Sequence, residues 1–215
     1  MQIYILWFVT ALCAYLLGAI PFGFLIAKAR GVDIRTVGSK NIGATNVFRS
    51  VSKGAGIATF ALDMGKGFCA TQYLPMLALG GVAETELLPL RVFSGVCVVI
   101  GHNWTCFLGF KGGKGIATSL GFLFGLIPLA GLLALLVWVV VVALSRYVSL
   151  ASIVAAASLG GIVWWRYPTP LWLPIIINLL ALLAIAKHHA NIRRLLNGTE
   201  SRISFSRKNG ESART

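Results

Sequence analysis

The chain has 215 residues, of which 57% are hydrophobic and only 12% are charged, and its mean hydropathy is +0.83. This composition excludes an ordinary soluble domain, in which about a quarter of the residues are charged. The formal net charge of +13 does not require a nucleic-acid partner, because membrane proteins accumulate Lys and Arg in cytoplasmic loops. We therefore expect one integral membrane domain at residues 1–200, a lipid bilayer around it, no nucleic acid, and a polar basic tail at 201–215.

The apolar runs are continuous and show no two-residue alternation, which predicts transmembrane helices and not a β-barrel. The first run, residues 3–27, is not preceded by the basic segment of a cleaved signal peptide, so we expect it to remain as a helix. Further spans are predicted at residues 55–79, 92–108, 150–165 and 171–186.

The loops between these runs differ in charge. Residues 28–53 are strongly basic and are expected inside, whereas residues 80–89 carry Glu84 and Glu86 without a basic residue and are expected outside.

Residues 116–144 form an almost unbroken apolar stretch that fits one tilted helix or two short helices hinged near residues 125–131. With one helix, the basic C-terminal tail would emerge outside. With two helices, only Arg91 and Arg166 lie outside and Lys66 lies in the membrane. The two-helix topology is favoured, because membrane proteins concentrate their basic residues on the cytoplasmic side. We predict an all-α integral membrane protein of seven transmembrane helices, with the N-terminus outside and the C-terminus cytoplasmic.

Three short polar segments interrupt the apolar sequence: residues 38–49 (GSKNIGATNVFR), 109–115 (GFKGGKG) and 187–194 (KHHANIRR). The predicted topology puts all three at the cytoplasmic face, where they can form a single site.

In residues 109–115, closely spaced glycines leave backbone N–H groups accessible, and Lys111 and Lys114 add positive charge. The N-terminus of the helix that follows attracts anions as well. This composition suits phosphate, although an ordinary basic turn explains it equally well, and the spacing is not that of a Walker A loop.

Residues 38–49 combine hydroxyl and amide side chains with Arg49, whose planar guanidinium suits phosphate. A helix-capping loop would explain one Ser or Asn but not their density. The hydroxyls and amides can bind a phosphate or a polyol, and they belong to Ser39, Asn41, Thr45 and Asn46, with Gly38 and Gly43 among them.

His188 and Asn191 are three residues apart and share one face of a helix. A His near the membrane interface can act as a general base toward an alcohol, whereas the neighbouring His189 points elsewhere and is expected to be structural. Asp63 and Lys66, also three apart, are predicted either to form a structural pair or to supply a lysine to the site.

We expect no metal and no cofactor, because the polar segments lack the convergent carboxylates that metal-dependent phosphoryl transfer needs. The implied chemistry is direct transfer between phosphate-bearing or other anionic substrates. A transporter of small phosphate esters is an alternative, although we find no inverted repeat. A regulatory subunit that binds anionic lipid would explain the charge but not His188 and Asn191.

The polar segments resemble the three motifs of bacterial acyl-phosphate:glycerol-3-phosphate acyltransferases, the PlsY family. The resemblance runs in order along residues 3–200, and it is carried by residues 38–49, 108–118 (LGFKGGKGIAT) and 188–200 (HHANIRRLLNGTE), with further similarity at 62–67 (LDMGKG) and 145–152 (SRYVSLAS). Lys40 stands where the family pattern usually has Gly.

The resemblance implies a multi-pass enzyme of the bacterial inner membrane with its active site at the cytoplasmic face. It would transfer a fatty acyl group from a fatty acyl phosphate to the 1-hydroxyl of sn-glycerol 3-phosphate. The products would be lysophosphatidic acid and phosphate, in the first acylation of phospholipid biosynthesis. A functional link to an enzyme that produces acyl phosphate follows as an expectation.

The resemblance also implies a set of site residues. The catalytic residues would be Ser39, Arg49, Lys114, His188 and Asn191. The substrate-binding residues would be Asn41, Gly43, Thr45, Asn46, Lys66, Lys111, Gly112, Gly113 and Gly115.

Among these residues, Arg49 and the lysines would hold the two phosphates, and the glycines would let the backbone approach glycerol phosphate. Ser39 and Asn191 would orient substrate. His188 would be a base or an orienting group, because an acyl phosphate carries its own proton acceptor. Glu200 is expected to be structural and to pair with a nearby arginine.

Overall fold

The computed structural model describes residues 2–77 and 84–203, and these ranges consist of helices and connecting segments without a β-strand. The predicted tail at 201–215 lies mostly outside the described residues. The α-helices are α1 (Gln2–Ala19), α2 (Phe22–Lys28), α3 (Ala44–Ser50), α4 (Lys53–Gln72), α5 (Leu74–Leu77), α6 (Glu84–Asn103), α7 (Ile116–Leu126), α8 (Pro128–Ser145), α9 (Val148–Arg166), α10 (Trp172–Lys187) and α11 (His189–Leu196).

The first apolar run is interrupted and not continuous, because α1 ends at Ala19 and α2 begins at Phe22. Pro21 lies at the break, and a proline has no N–H to continue the hydrogen-bond ladder of a helix. The break leaves the carbonyl of Ile20 available to a side chain from another helix.

Helix α6 begins at Glu84 and not at residue 92, so most of the expected outer loop 80–89 is helical. Glu84, Glu86 and Pro89 read as a loop from sequence, yet Pro89 is accommodated inside the helix. Pro89 lies beyond the first turn, so the helix lacks the hydrogen bond that an N–H at residue 89 would donate to the carbonyl of Thr85.

The apolar stretch 116–144 is two helices, as predicted. Helix α7 ends at Leu126, and α8 begins with Pro128 as its first residue. Helix α7 has 11 residues, so its length of roughly 16 Å is shorter than the ~30 Å hydrocarbon core of a bilayer.

Four helical segments of the described chain are long and apolar enough to cross a membrane: Ile3–Lys28, Thr85–Leu108, Pro128–Ser145 and Val148–Arg166. Helices α10 and α11 make a fifth if the pair, bent by 55°, is one span. Large apolar side chains are exposed on α1, α8 and α10, as expected for surfaces that contact lipid. The all-α membrane class is therefore confirmed, and seven spans with their orientation remain a prediction.

Helices α4 and α7 approach each other most closely through small residues. A Cβ on Gly67 would lie 2.1 Å from the carbonyl oxygen of Thr118, and one on Gly121 would lie 1.9 Å from that of Met64. Such backbone approach at small residues is a common basis of helix association in membranes. The close contact between α4 and α7 places the polar start of α7 beside the charged middle of α4.

Candidate active site

A cavity of about 380 Å³ lies where the three polar segments meet. Its polar lining comes from the loop before α3, the loop before α7, and the chain around α11. Its apolar lining comes from α7, α8, α9 and α10, and includes Leu120, Leu123, Leu135, Trp138, Leu159, Ile177 and Leu180. The predicted convergence of the three segments is therefore observed, and the site also opens onto an apolar compartment.

The side chain of Asn46 organises the first segment. Its buried amide group donates to the carbonyl oxygens of Ile34, Val37 and Asn41 at 3.2, 3.1 and 2.9 Å, and its oxygen accepts from the Ser39 N–H at 3.0 Å. Asn46 lines the cavity, but the loop itself uses its hydrogen-bonding capacity. This placement favours a loop-organising role over the predicted substrate-binding role.

Other residues of the first segment line the cavity as well. Asn41 accepts a hydrogen bond from the Gly43 N–H at 2.8 Å, which closes a short turn before α3. Ser39 and Thr45 lie on the cavity wall. Lys40, next to Ser39, has a φ of +58°, a left-handed conformation that favours glycine.

Arg49 lies on α3 and faces the cavity from the side of the C-terminal segment. Its guanidinium donates to the carbonyl oxygen of Ser201 at 2.8 Å. The segment that follows α11 therefore folds back across the site. It is held there by a hydrogen bond from the Ile203 N–H to the carbonyl of Arg146 at 2.9 Å.

The glycine-rich loop 109–115 rests on the C-terminal end of α6. The Gly113 N–H donates to the carbonyl of His102 at 3.0 Å, and a Cβ on Gly112 would lie 2.0 Å from the same oxygen. Gly112 and Gly113 do not line the cavity, whereas Gly115 does. Close packing on α6 is thus the observed reason for two of the glycines that were predicted to contact substrate.

The two lysines of this loop have different places. Lys111 is exposed and does not line the cavity. Lys114 lines it, and its ammonium donates to the side-chain oxygen of Asn191. Burial, together with the positive charges of Arg194, Arg49 and Lys187, lowers the pKa of Lys114 to about 8, while the charge of Glu200 opposes this shift.

Glu200 connects Asn191 to α9 and to a second arginine. Its carboxylate accepts from Asn191 Nδ2 and Ser149 Oγ at 2.8 Å each, and from Arg194 Nε at 2.6 Å. Burial alone would raise the pKa of Glu200, but these hydrogen bonds and the charge of Arg194 lower it below its usual range. The predicted pairing of Glu200 with an arginine is confirmed.

His188 lies between α10 and α11 and is buried in the cavity wall. Its Nδ1 atom is 2.7 Å from the carbonyl oxygen of Ala184. Because a carbonyl oxygen only accepts, Nδ1 carries the proton and Nε2 is left as an acceptor. His189 is exposed and does not line the cavity.

Lys66 is not among the residues that line the cavity. Its ammonium lies 2.9 Å from the carboxylate of Asp63 and donates to the carbonyl of Ile20 at 2.9 Å. Lys66 thus satisfies the backbone at the break between α1 and α2. This placement favours the structural pair over the predicted substrate-binding role.

Several polar residues that line the cavity were not assigned to the site by sequence reasoning, among them Asp63, His102, Ser149 and Arg194. Ser149 and Arg194 lie within the segments 145–152 and 188–200 and could have been found there. His102 precedes the glycine-rich loop, and nothing in its sequence neighbourhood sets it apart.

A family model described as glycerol-3-phosphate acyltransferase matches residues 8–198. The chain belongs to this family. It is 48% identical over 203 residues to the glycerol-3-phosphate acyltransferase of Desulforudis audaxviator, covering 89% of this chain and 93% of that protein. It is 45% identical over 204 residues to that of Rhodospirillum rubrum, covering 93% and 92%.

Two crystal structures of PlsY, an integral membrane glycerol 3-phosphate acyltransferase, share the fold. Its glycerol 3-phosphate form matches with a TM-score of 0.82 and 40% identity over 92% of this chain and 96% of that one. Its lysophosphatidic acid form matches with a TM-score of 0.80 and 38% identity. The resemblance to the PlsY family is confirmed, and the protein is a membrane glycerol-3-phosphate acyltransferase by family.

Proposed function

We propose that this protein transfers a fatty acyl group from a fatty acyl phosphate to the 1-hydroxyl of sn-glycerol 3-phosphate, releasing lysophosphatidic acid and phosphate. The observation that carries the proposal is the single cavity that joins cationic groups to an apolar compartment. An acyl phosphate has the same two-part chemistry, an anionic head on an apolar chain.

The polar part of the cavity has more positive than negative charge near Lys114. Arg49, Lys114 and Arg194 line it near the carboxylate of Glu200, whereas the other carboxylate of the cavity wall, Asp63, is paired with Lys66. Buried cations without full neutralisation favour an anionic ligand, and guanidinium groups add planar hydrogen-bond donors that fit phosphate. The two substrates together bring two phosphate groups to this place.

In the reaction, the 1-hydroxyl oxygen attacks the carbonyl carbon of the acyl phosphate. The bond between that carbon and the bridging phosphate oxygen breaks, and phosphate leaves with the bond electrons. The hydroxyl proton has two acceptors in this arrangement, Nε2 of His188 or the departing phosphate. Lys114 and Arg49 stabilise the charge that accumulates on the leaving phosphate.

The chemistry of the donor also places a reaction before this one. An acyl phosphate is an activated mixed anhydride, so an enzyme that forms acyl phosphate must supply it. We propose a functional link to such an enzyme.

For the membrane arrangement, we propose seven spans with the N-terminus outside, the active site cytoplasmic, and the bacterial inner membrane as location. In this arrangement α4 and α7 cross as neighbours, with Asp63 and Lys66 neutralised inside the bundle. A reporter fused after Thr215 should be active only in the cytoplasm. Activity only outside the cytoplasm would overturn the topology.

The donor is tested with purified protein, labelled glycerol 3-phosphate, and either palmitoyl phosphate or palmitoyl-CoA at equal concentration. We expect lysophosphatidic acid and inorganic phosphate in equal amounts with palmitoyl phosphate, and product near background with palmitoyl-CoA. Equal rates with the two donors would contradict the proposed donor. Uptake of glycerol 3-phosphate into sealed vesicles without lipid product would instead support the transporter.

The role of His188 is tested by His188→Gln, whose side chain can still accept a hydrogen bond from the substrate hydroxyl. A general base contributes about 10²- to 10⁴-fold to rate. A loss of that size would assign the proton to His188. A rate within tenfold of wild type would assign it to the departing phosphate, with His188 as an orienting group.

A further inference from the structure

We propose that His102, braced by Asp63, is a positioning residue for acyl transfer. Its imidazole is the wall against which the glycine-rich loop 109–115 rests, and it thereby sets where Lys114 presents its ammonium. The inference goes beyond the proposed function and relies on it only for one of the two measurements below.

The loop contacts His102 in two ways. The Gly113 N–H donates to the backbone carbonyl of His102 at 3.0 Å. A Cβ on Gly113 would lie 2.2 Å from Nε2 of the imidazole ring, so the ring is packed against the backbone of the loop. The absence of a side chain at residue 113 is what allows this approach.

The other edge of the imidazole faces a fixed charge. Nδ1 of His102 lies 3.5 Å from Oδ1 of Asp63, and the same carboxylate oxygen lies 2.9 Å from Nζ of Lys66. All three residues are buried. Lys66 is tied in turn to the carbonyl of Ile20, so the ring lies between an anchored carboxylate and the loop.

This arrangement bears on the site because Lys114 directly follows Gly113. On the other side of Lys114, Gly115 has a φ of +78°, which restricts the backbone to a conformation that few other residues adopt. The ammonium therefore depends on the placement of a loop that His102 supports. Displacements of about 1 Å in such groups can cost on the order of 100-fold in rate.

The first test compares His102→Ala with His102→Asn. Asparagine retains an N–H donor close to the position of Nδ1, facing Asp63, whereas alanine removes both the donor and the wall. We expect His102→Ala to raise the KM for glycerol 3-phosphate on the order of 10- to 100-fold and to lower kcat as well, because Lys114 also serves the leaving phosphate. His102→Asn should recover part of the loss.

A matched control is Ser94→Ala on the same helix. Ser94 is buried and its hydroxyl donates to the carbonyl of Ala70 on α4 at 2.7 Å, so the variant removes an α6–α4 hydrogen bond away from the loop. It should lower the unfolding temperature without changing the KM for glycerol 3-phosphate.

A second test uses the geometry of the two glycines. Gly113→Ala should be deleterious, because its Cβ would clash with the imidazole. The double variant Gly113→Ala/His102→Ala should be no worse than His102→Ala alone, because it no longer contains the ring. Gly112→Ala should not be relieved in this way, because its obstacle is the backbone carbonyl of residue 102, at 2.0 Å.

Binding of glycerol 3-phosphate measured by calorimetry, without an acyl donor, separates the two proposals. A weaker affinity in His102→Ala than in Ser94→Ala supports the positioning role, whichever donor the enzyme uses. Unchanged affinity and unchanged KM in a folded His102→Ala variant would overturn it. Equal relief of Gly112→Ala and Gly113→Ala would overturn it as well. Failure of every acyl donor with wild-type protein would count against the proposed function alone.

Discussion

Two clusters of charged side chains lie within this helical domain, and they are neutralised to different degrees. In the first, the carboxylate of Asp63 is 2.9 Å from the ammonium of Lys66, and a backbone carbonyl takes a further hydrogen bond from that ammonium. In the second, Glu200 faces Arg194 at 2.6 Å, but Lys114 and Arg49 also line the same cavity. Charge that the protein leaves unneutralised marks the place for an anionic ligand.

The clusters also differ in what surrounds them. Lys66 does not line the cavity and Lys114 does, although both are lysines beside glycines in segments that resemble family motifs. A lysine whose partners are all supplied by the protein supports the fold. A lysine that faces a cavity with an amide as its side-chain partner can exchange that partner for a phosphate.

We expect the largest effect from Arg49→Ala in the cavity cluster. Loss of a cation that would stabilise the leaving phosphate should lower kcat/KM for acyl transfer on the order of 10³-fold, while the protein still inserts into the membrane. The control is Arg193→Ala, because Arg193 is exposed and does not line the cavity. Acyl transfer is measured with purified variants, and a wild-type rate for Arg49→Ala would refute its assignment.

Lys66→Met should act mainly on stability, because Lys66 does not itself line the cavity. It leaves Asp63 as a buried carboxylate without its ammonium, which costs about 3–5 kcal/mol when one partner of a buried pair is removed. Thermal unfolding in detergent measures this loss. Lys53→Met, an exposed lysine on the same helix, is the control.

A double variant sharpens the result for Lys66. Asp63→Asn combined with Lys66→Met removes both charges, so it should be less destabilised than Lys66→Met alone. A double variant that is destabilised by the full sum of the single effects would contradict the closed-pair interpretation.

The pH dependence of substrate affinity should follow Lys114. Its pKa is lowered to about 8, so the ammonium loses its proton, and its charge, as pH rises through this value. At subsaturating glycerol 3-phosphate, kcat/KM should therefore fall above pH 8, by about tenfold per pH unit at the steepest. The profile is measured from pH 6 to 10.

Lys114→Arg should remove this alkaline decline, because a guanidinium stays protonated throughout the range. The comparison uses the shape of the profile, so a lower absolute rate in the variant does not affect it. Lys53→Arg should retain the wild-type shape. An unchanged decline in Lys114→Arg would assign the titration to another group.

The smallest effect is expected at Lys40. A non-glycine residue in the left-handed region costs about 1–2 kcal/mol, and Lys40 has a φ of +58°. Lys40→Gly should therefore raise the free energy of unfolding by about 1 kcal/mol or less, since glycine also gains entropy in the unfolded chain. Lys40→Ala removes the charge but keeps the Cβ, so it should not show this gain.

Much of the fold followed from composition and periodicity. The helix pair in residues 116–144 was predicted, with a hinge near residues 125–131, because the charge of the loops favours a hairpin. The break at Pro21 and the early start of α6 at Glu84 were not predicted. Both depend on whether neighbouring helices satisfy or cover a local irregularity, which the local sequence does not reveal.

In the site, too, some features were predicted from the sequence and others were not. Arg49, Lys114, His188 and Asn191 line one cavity, as their motifs implied. Asn46 looked like a substrate ligand because amides suit polyols, yet its partners are the carbonyls of its own loop. The hydrogen bonds of an amide are assigned only when the backbone around it is known.

The sequence by itself determined a membrane protein made of helices, three polar segments suited to phosphate, and the family to which the chain belongs. These properties follow from hydropathy, residue chemistry and the order of motifs. Only the tertiary structure decided which charges are used up inside the fold and which face the cavity. Neutralisation depends on distances of a few ångströms between residues far apart in the chain, such as Lys114 and Asn191.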